Sequence, residues 1–182
     1  MTLESNVGTV TGMGYTQVAT RSGQPAKLVT ETSTLRNPDK NNWETPSELF
    51  NGLNDTYQFD FDAAADQFNH KISRWFGPGS PVGVYDALAP DVRWRDYGEY
   101  FWLNPPYGRG LLEPFLAKAI QEWKRDGIGI VMLLPVDTST RWWHTHIEEH
   151  NRDGNVRFLQ GRIRFVGAAG SPKFASCLVE LL

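Results

Sequence analysis

The chain has one cysteine, Cys177, in 182 residues, so no disulfide can close within it, and a reducing cytoplasm is the expected setting. It has no apolar run near the roughly 20 residues that a membrane-spanning helix requires, and no membrane partner is expected. Its opening, Met1 to Val10, has neither a basic flank nor an apolar signal core, so export is not expected. Aromatic residues are scarce at the start: Tyr15 is the only one before Trp43, while fifteen of the first forty residues are Ser, Thr or Gly. Such a stretch can bury little, and the composition predicts a flexible tail over residues 1–40 ahead of a folded domain over 41–182. Acidic residues are missing from Arg157 to Lys173, a segment that carries Arg157, Arg162, Arg164 and Lys173.

What is present fits one globular domain. Hydrophobic residues make up 40% and charged residues 21%, which supports a single core at this length. The net charge of −3 disfavours a nucleic-acid partner only weakly, because the charge is unevenly placed. Up to Leu103 there are 8 basic and 13 acidic residues; from Asn104 onward there are 10 and 8. A local basic patch can contact phosphates whatever the net charge. There is no internal repeat and no heptad pattern.

Helical and strand signals alternate beyond Asn41. Thr45 reads as an N-cap with Pro46 at the first helical position and Glu48 three residues after the cap. Leu49, Phe50 and Leu53 then share a helical face. Tyr57, Phe59 and Phe61 alternate with polar residues and predict a strand ending at Asp62, and Ala63–Asn69 predicts the start of a helix. Phe101–Leu103 reads as a short buried strand, followed by a helix from Leu112 to Lys124. The apolar run Ile128–Leu134, between Gly127 and Pro135, has the character of a central parallel strand. Thr138–His150 predicts a helix, Val156–Phe165 a hairpin broken at Gly161, and Ala175–Leu182 a last strand. The expected class is α/β, a mainly parallel sheet with helices on both faces and an antiparallel hairpin at one edge. Ligands of such sheets bind at the carboxyl ends of the strands, where Asp62 and Asn104 are expected.

Asn104-Pro105-Pro106-Tyr107, directly after a buried strand and before a helix, is the most informative motif. It resembles the catalytic motif of amino-methyltransferases that use S-adenosyl-L-methionine. The wider order Asn41-Asn42-Trp43-Glu44-Thr45-Pro46, then Phe61-Asp62-Ala63-Ala64-Ala65, then Asp86-Ala87-Leu88, then the Asn-Pro-Pro-Tyr motif, is similar to the phage-type DNA N6-adenine methyltransferase family. The resemblance runs from about Asn41 to the C-terminus. It implies a Rossmann-like methyltransferase fold, S-adenosyl-L-methionine as cofactor, DNA as substrate, and no metal requirement. It implies protection of phage DNA from host nucleases as the purpose, within restriction and modification in a bacterial host cytoplasm.

The chemistry suits those residues. The exocyclic amine of adenine is a poor nucleophile because its lone pair is delocalised into the ring. Two acceptors aimed at its N–H groups favour a tetrahedral nitrogen and turn the lone pair toward an incoming methyl group. The resemblance gives these roles to the Asn104 side-chain oxygen and the Pro105 carbonyl, with Pro106 stiffening the turn and Tyr107 stacking on a base taken out of the duplex. Gly108 permits close approach. The catalytic effect is then positioning and electrostatic alignment. The resemblance further implies that Trp43, Thr45 and Pro46 close over the methionine end of the cofactor. It places Asp62, Ala63 and Ala64 beside the cofactor, Asp66 at the ribose and Asp86 at the adenine, with Asn104 lining the same site. Arg109, Arg162, Arg164, Phe165 and Tyr107 are the expected DNA contacts.

Other readings compete. N4-cytosine methylation usually carries Ser at the first motif position, which is Asn104 here, and enzymes acting on RNA or protein glutamine carry a Gly-rich first loop that this chain lacks. A nucleic-acid-binding protein that has lost catalysis would not need an intact Asn-Pro-Pro-Tyr. His146 and His150 lie four apart beside His144, but His-Ile-Glu-Glu-His lacks the Glu that follows the first His in zinc hydrolases. His150 at a helix C-terminus is the simpler account of that cluster.

Overall fold

A short run of strands divides the apolar residues between two faces, and that division explains the layering. The computed structural model describes residue 41 and residues 43–182. The predicted tail over 1–40 lies outside the described residues. The elements are α1 (Ser47–Tyr57), β1 (Phe61–Asp62), β2 (Tyr100–Leu103), α2 (Leu112–Asp126), β3 (Gly129–Pro135), α3 (Arg141–His146), α4 (Glu148–Arg152), β4 (Val156–Phe158) and β5 (Ser176–Leu181), with a 3-10 turn at Trp94–Asp96.

The five strands lie in the order β1-β2-β3-β5-β4. β1, β2 and β3 run parallel, whereas β5 is antiparallel to both β3 and β4. The sheet is therefore mixed: two pairings are parallel and two antiparallel, rather than mainly parallel as expected. Side chains alternate across it. Phe101, Leu103, Ile130, Met132, Leu134, Cys177 and Val179 meet Leu112, Leu116 and Ala119 of α2 and Trp143 of α3. Trp102, Val131, Leu133 and Leu178 face the other way and meet Phe50 and Leu53 of α1. Helices thus cover both faces.

Several boundaries differ from the sequence-based expectation. α1 starts at Ser47 with Pro46 as its cap residue, so Thr45 is not the N-cap. Tyr57 ends that helix, and only Phe61–Asp62 forms a strand. Ala63–Asn69 is not helical, because Asp66 Oδ1 accepts the N–H groups of Phe68 (2.7 Å) and Asn69 (3.1 Å) and closes a turn there. The helix expected over Thr138–His150 is two short helices meeting at Ile147. The expected hairpin does not form within 156–165. β4 pairs instead with β5, and Val166 bridges to Glu44 through backbone bonds of 3.2 and 2.9 Å.

Candidate active site

The two strands that end side by side at the ligand-binding edge are β1 and β2. Asp62 is in register with Trp102, and the Ala63 N–H donates to the Trp102 carbonyl at 2.8 Å. Asp62 and Asn104 therefore project from the carboxyl ends of adjacent parallel strands, where such sheets bind ligands. The Asn104 amide is held from both ends. Its Nδ2 donates to the Trp43 carbonyl at 3.1 Å, and the Tyr107 hydroxyl lies 2.8 Å from its Oδ1. That hydroxyl also reaches the Leu133 carbonyl at 3.0 Å, so its single proton has two acceptors. Burial pushes the Tyr107 phenol well above its usual pKa and keeps it a neutral donor. An amide oxygen has two lone pairs, so Asn104 Oδ1 retains one for a further donor. Gly108 follows because a Cβ there would stand 2.5 Å from Asn41 Oδ1.

Beside this amide lies a cleft of about 200 Å³ including its open mouth, lined by Trp43, Glu44, Thr45, Asp62, Ala64, Asn69, Lys71, Trp102 and Asn104. Asp62 is buried; its Oδ1 accepts from the Ala64 N–H at 3.3 Å and its Oδ2 from the Lys71 N–H at 3.0 Å. Lys71 Nζ pairs with Glu44 Oε1 at 2.8 Å and lies 3.4 Å from Ser47 Oγ. Thr45 Oγ1 is buried and has no hydrogen-bond partner among the described residues. Leaving a hydroxyl so placed costs roughly 1–3 kcal/mol, which a ligand in the cleft would offset. Thr45→Val should therefore leave the ligand-free protein as stable as before, or more stable by about 1 kcal/mol, while weakening whatever fills the cleft. Melting curves and calorimetry with the bound ligand check both halves, and clear destabilisation of the free protein would mean that the hydroxyl already has a partner.

Burial raises the Asp62 pKa to about 6, against backbone hydrogen bonds from Lys71 and Ala64 and the nearby His70 and Lys71, which lower it. The folded state thus holds this proton more tightly than the unfolded chain. The stabilisation is complete below about pH 4 and is lost as pH rises through about 6, a change on the order of 3 kcal/mol. Melting temperature measured from pH 4 to pH 7 should therefore decline more steeply in the parent protein than in Asp62→Asn, and parallel profiles would contradict the burial of a charge here.

The remaining nominated residues spread outward from the cleft. Ala63 is fully buried behind Asp62, Pro46 caps α1, and Asp66 is engaged in its turn. Asp86 is exposed and accepts the Leu88 N–H at 2.9 Å; neither it nor Asp66 lines the cleft. Arg109, Arg162 and Arg164 are exposed. Phe165 is 2% exposed. It stacks on Trp43 at 5.4 Å and meets the Tyr107 ring edge-on at 5.9 Å. Phe174 packs on the same two rings at 6.3 and 5.7 Å. The connection between β4 and β5 thereby buttresses both Trp43 and Tyr107. Lys71, Asn69 and Phe174 had no signal in the sequence, since each is brought in by chain reversal and not by a motif. The three histidines take separate partners: His144 pairs with Glu148 at 2.7 Å, His146 approaches Glu113 at 3.7 Å, and His150 packs against Trp123.

Residues 32–176 match the family described as DNA N-6-adenine-methyltransferase (Dam). A DNA N-6-adenine-methyltransferase of Haemophilus phage HP1 is 31% identical over 141 residues, covering 76% of this chain and 73% of the phage protein. A protein of the same description from Escherichia phage T1 is 31% identical over 137 residues, covering 68% of this chain and 53% of the T1 protein.

Proposed function

The chain belongs to the DNA N-6-adenine-methyltransferase (Dam) family, and from that premise we propose that it methylates the exocyclic N6 of adenine in DNA with S-adenosylmethionine as donor. The observation that supports this most is the Asn104 amide, fixed at the end of β2 by Trp43 and Tyr107 and opening onto the cleft beside Asp62. We take residues 41–182 as the catalytic domain and its sheet as a Rossmann-like methyltransferase sheet, a reading supported by the parallel β1-β2-β3 block with its ligand edge at Asp62 and Asn104. The relatives come from phages, which favours phage DNA in a bacterial host cytoplasm as the setting.

The residues present fit the cofactor. The cleft offers a buried hydroxyl without a partner among the described residues, a buried carboxylate and a lysine, and a ligand with polar and charged ends satisfies such groups. Thr45, Asp62, Lys71 and Asn69 would hold it, with Trp43 and Trp102 as walls. When bound, the cofactor supplies a methyl group on a positively charged sulfur, which departs as a thioether. Asn104 Oδ1 accepts one N–H of the target amine, and the Pro105 carbonyl takes the other. With both N–H groups held, the nitrogen lone pair faces the incoming methyl, and the excess proton passes to solvent water after the new bond forms. Tyr107 keeps the amide from rotating, since its hydroxyl and the Trp43 carbonyl grip opposite ends. Its ring, half-buried against Phe165 and Phe174, stacks on the flipped base. Arg109, Arg162 and Arg164 contact the DNA backbone.

The reading is tested by incubating the protein with methyl-labelled S-adenosylmethionine and unmethylated DNA, then separating the nucleosides. Label in N6-methyldeoxyadenosine sustains it. Label in cytosine, RNA or protein overturns the substrate assignment.

A further inference from the structure

We propose that Lys71 anchors the α-carboxylate of the cofactor's amino-acid end and that Asp62 anchors its α-ammonium, so that the cleft selects a zwitterion. This rests on the cofactor assignment above and adds to it two charged contacts, one of them on a residue outside every recognisable motif.

The argument starts from donor and acceptor capacity. An ammonium has three N–H donors. Lys71 directs two of them to Glu44 (2.8 Å) and Ser47 (3.4 Å), which leaves one for a ligand without breaking either contact. Its side chain is only 8% exposed, so the charge is largely desolvated and its remaining donor is costly to leave unused. Asp62 receives one backbone N–H on each oxygen, and each oxygen keeps a lone pair. Thr45 Oγ1, buried without a partner among the described residues, supplies a second donor for the carboxylate.

Charge balance points the same way. The cleft holds Lys71 against Glu44 and Asp62. A free carboxylate ligand would face two like charges, and a free amine would crowd Lys71. An amino-acid end presents one charge of each sign and changes the balance of the cleft by nothing.

S-adenosylhomocysteine and 5′-deoxy-5′-methylthioadenosine share the nucleoside and the thioether but only the first carries the amino-acid end, so calorimetry with both isolates these contacts. The parent protein should prefer S-adenosylhomocysteine by about a hundredfold, since a charge-assisted hydrogen bond contributes roughly ten- to hundredfold. Lys71→Met should weaken S-adenosylhomocysteine by at least about tenfold and leave methylthioadenosine within about twofold. Because Lys71→Met strands the Glu44 carboxylate, the double variant Lys71→Met with Glu44→Gln is measured too, and retained methylthioadenosine binding shows that it is folded. If either variant keeps the full preference, or loses both ligands equally, the Lys71 assignment is overturned while the cofactor reading stands. A parent protein that binds neither nucleoside overturns the cofactor reading and this proposal with it.

Discussion

Asn104→Ala is expected to lower methyl transfer by two to three orders of magnitude while changing cofactor affinity by less than about threefold. The amide oxygen acts on the amine as its nitrogen becomes tetrahedral, so its contribution grows in the transition state and falls on kcat more than on KM. Structural damage from the change is limited. The Tyr107 hydroxyl still has the Leu133 carbonyl at 3.0 Å, and the Trp43 carbonyl loses one donor on a segment that is also held by Val166 and by stacking on Phe165. Single-turnover kinetics with calorimetry separate the two effects. Turnover within tenfold of the parent would remove Asn104 from the chemistry, and a parallel loss of cofactor affinity would make it a binding group instead.

The largest expected effect on stability lies away from the cleft, at Glu122 in α2. Its carboxylate is wholly buried, accepts the Trp94 N–H at 2.8 Å, and pairs with Lys118 at 2.9 Å and with Arg125. Lys118 in turn donates to the Val92 carbonyl. Trp94 donates through its indole to the Ala87 carbonyl at 3.0 Å, so the same carboxylate fixes the segment that carries Asp86. Glu122→Leu removes the acceptor and leaves a nearly buried lysine without its carboxylate, a loss of roughly 3–5 kcal/mol. In a domain of this size that corresponds to a fall in Tm of about 10 °C. Glu122→Gln, which keeps one acceptor oxygen, should lie between. A fall under about 3 °C for the leucine variant would mean that the network contributes little.

The sequence shows where β1 and β2 end more readily than it shows the frame around them. Asn104 and Asp62 were legible because a buried apolar run that stops on a polar residue marks a strand end. α2 was legible because Leu112, Leu116 and Ala119 repeat at helical spacing and Gly127 stops the helix in a left-handed conformation. The misread stretches all follow from contacts that local pattern does not carry. Ala63–Asn69 has helical composition, but Asp66 captures the amides that a helix would need. Tyr57 alternates with Phe59 as in a strand, yet it ends α1 and stacks on Phe59 at 5.4 Å. The hairpin signal at Val156–Phe165 was overridden when Phe165 packed under Trp43 and β5 took the place beside β4. Lys71 and Phe174 reach the site only through such tertiary pairings, and their neighbours in sequence give no warning of it.

The central claim is that the amine held by Asn104 receives the methyl group, and isotopes read that bond directly. Duplex DNA carrying ¹⁵N at adenine N6 is incubated with S-adenosylmethionine bearing a ¹³C methyl group, and the product is examined by NMR. A methyl carbon directly coupled to the labelled nitrogen is the predicted result. A labelled methyl group that enters the DNA without that coupling would place the new bond elsewhere and contradict the account.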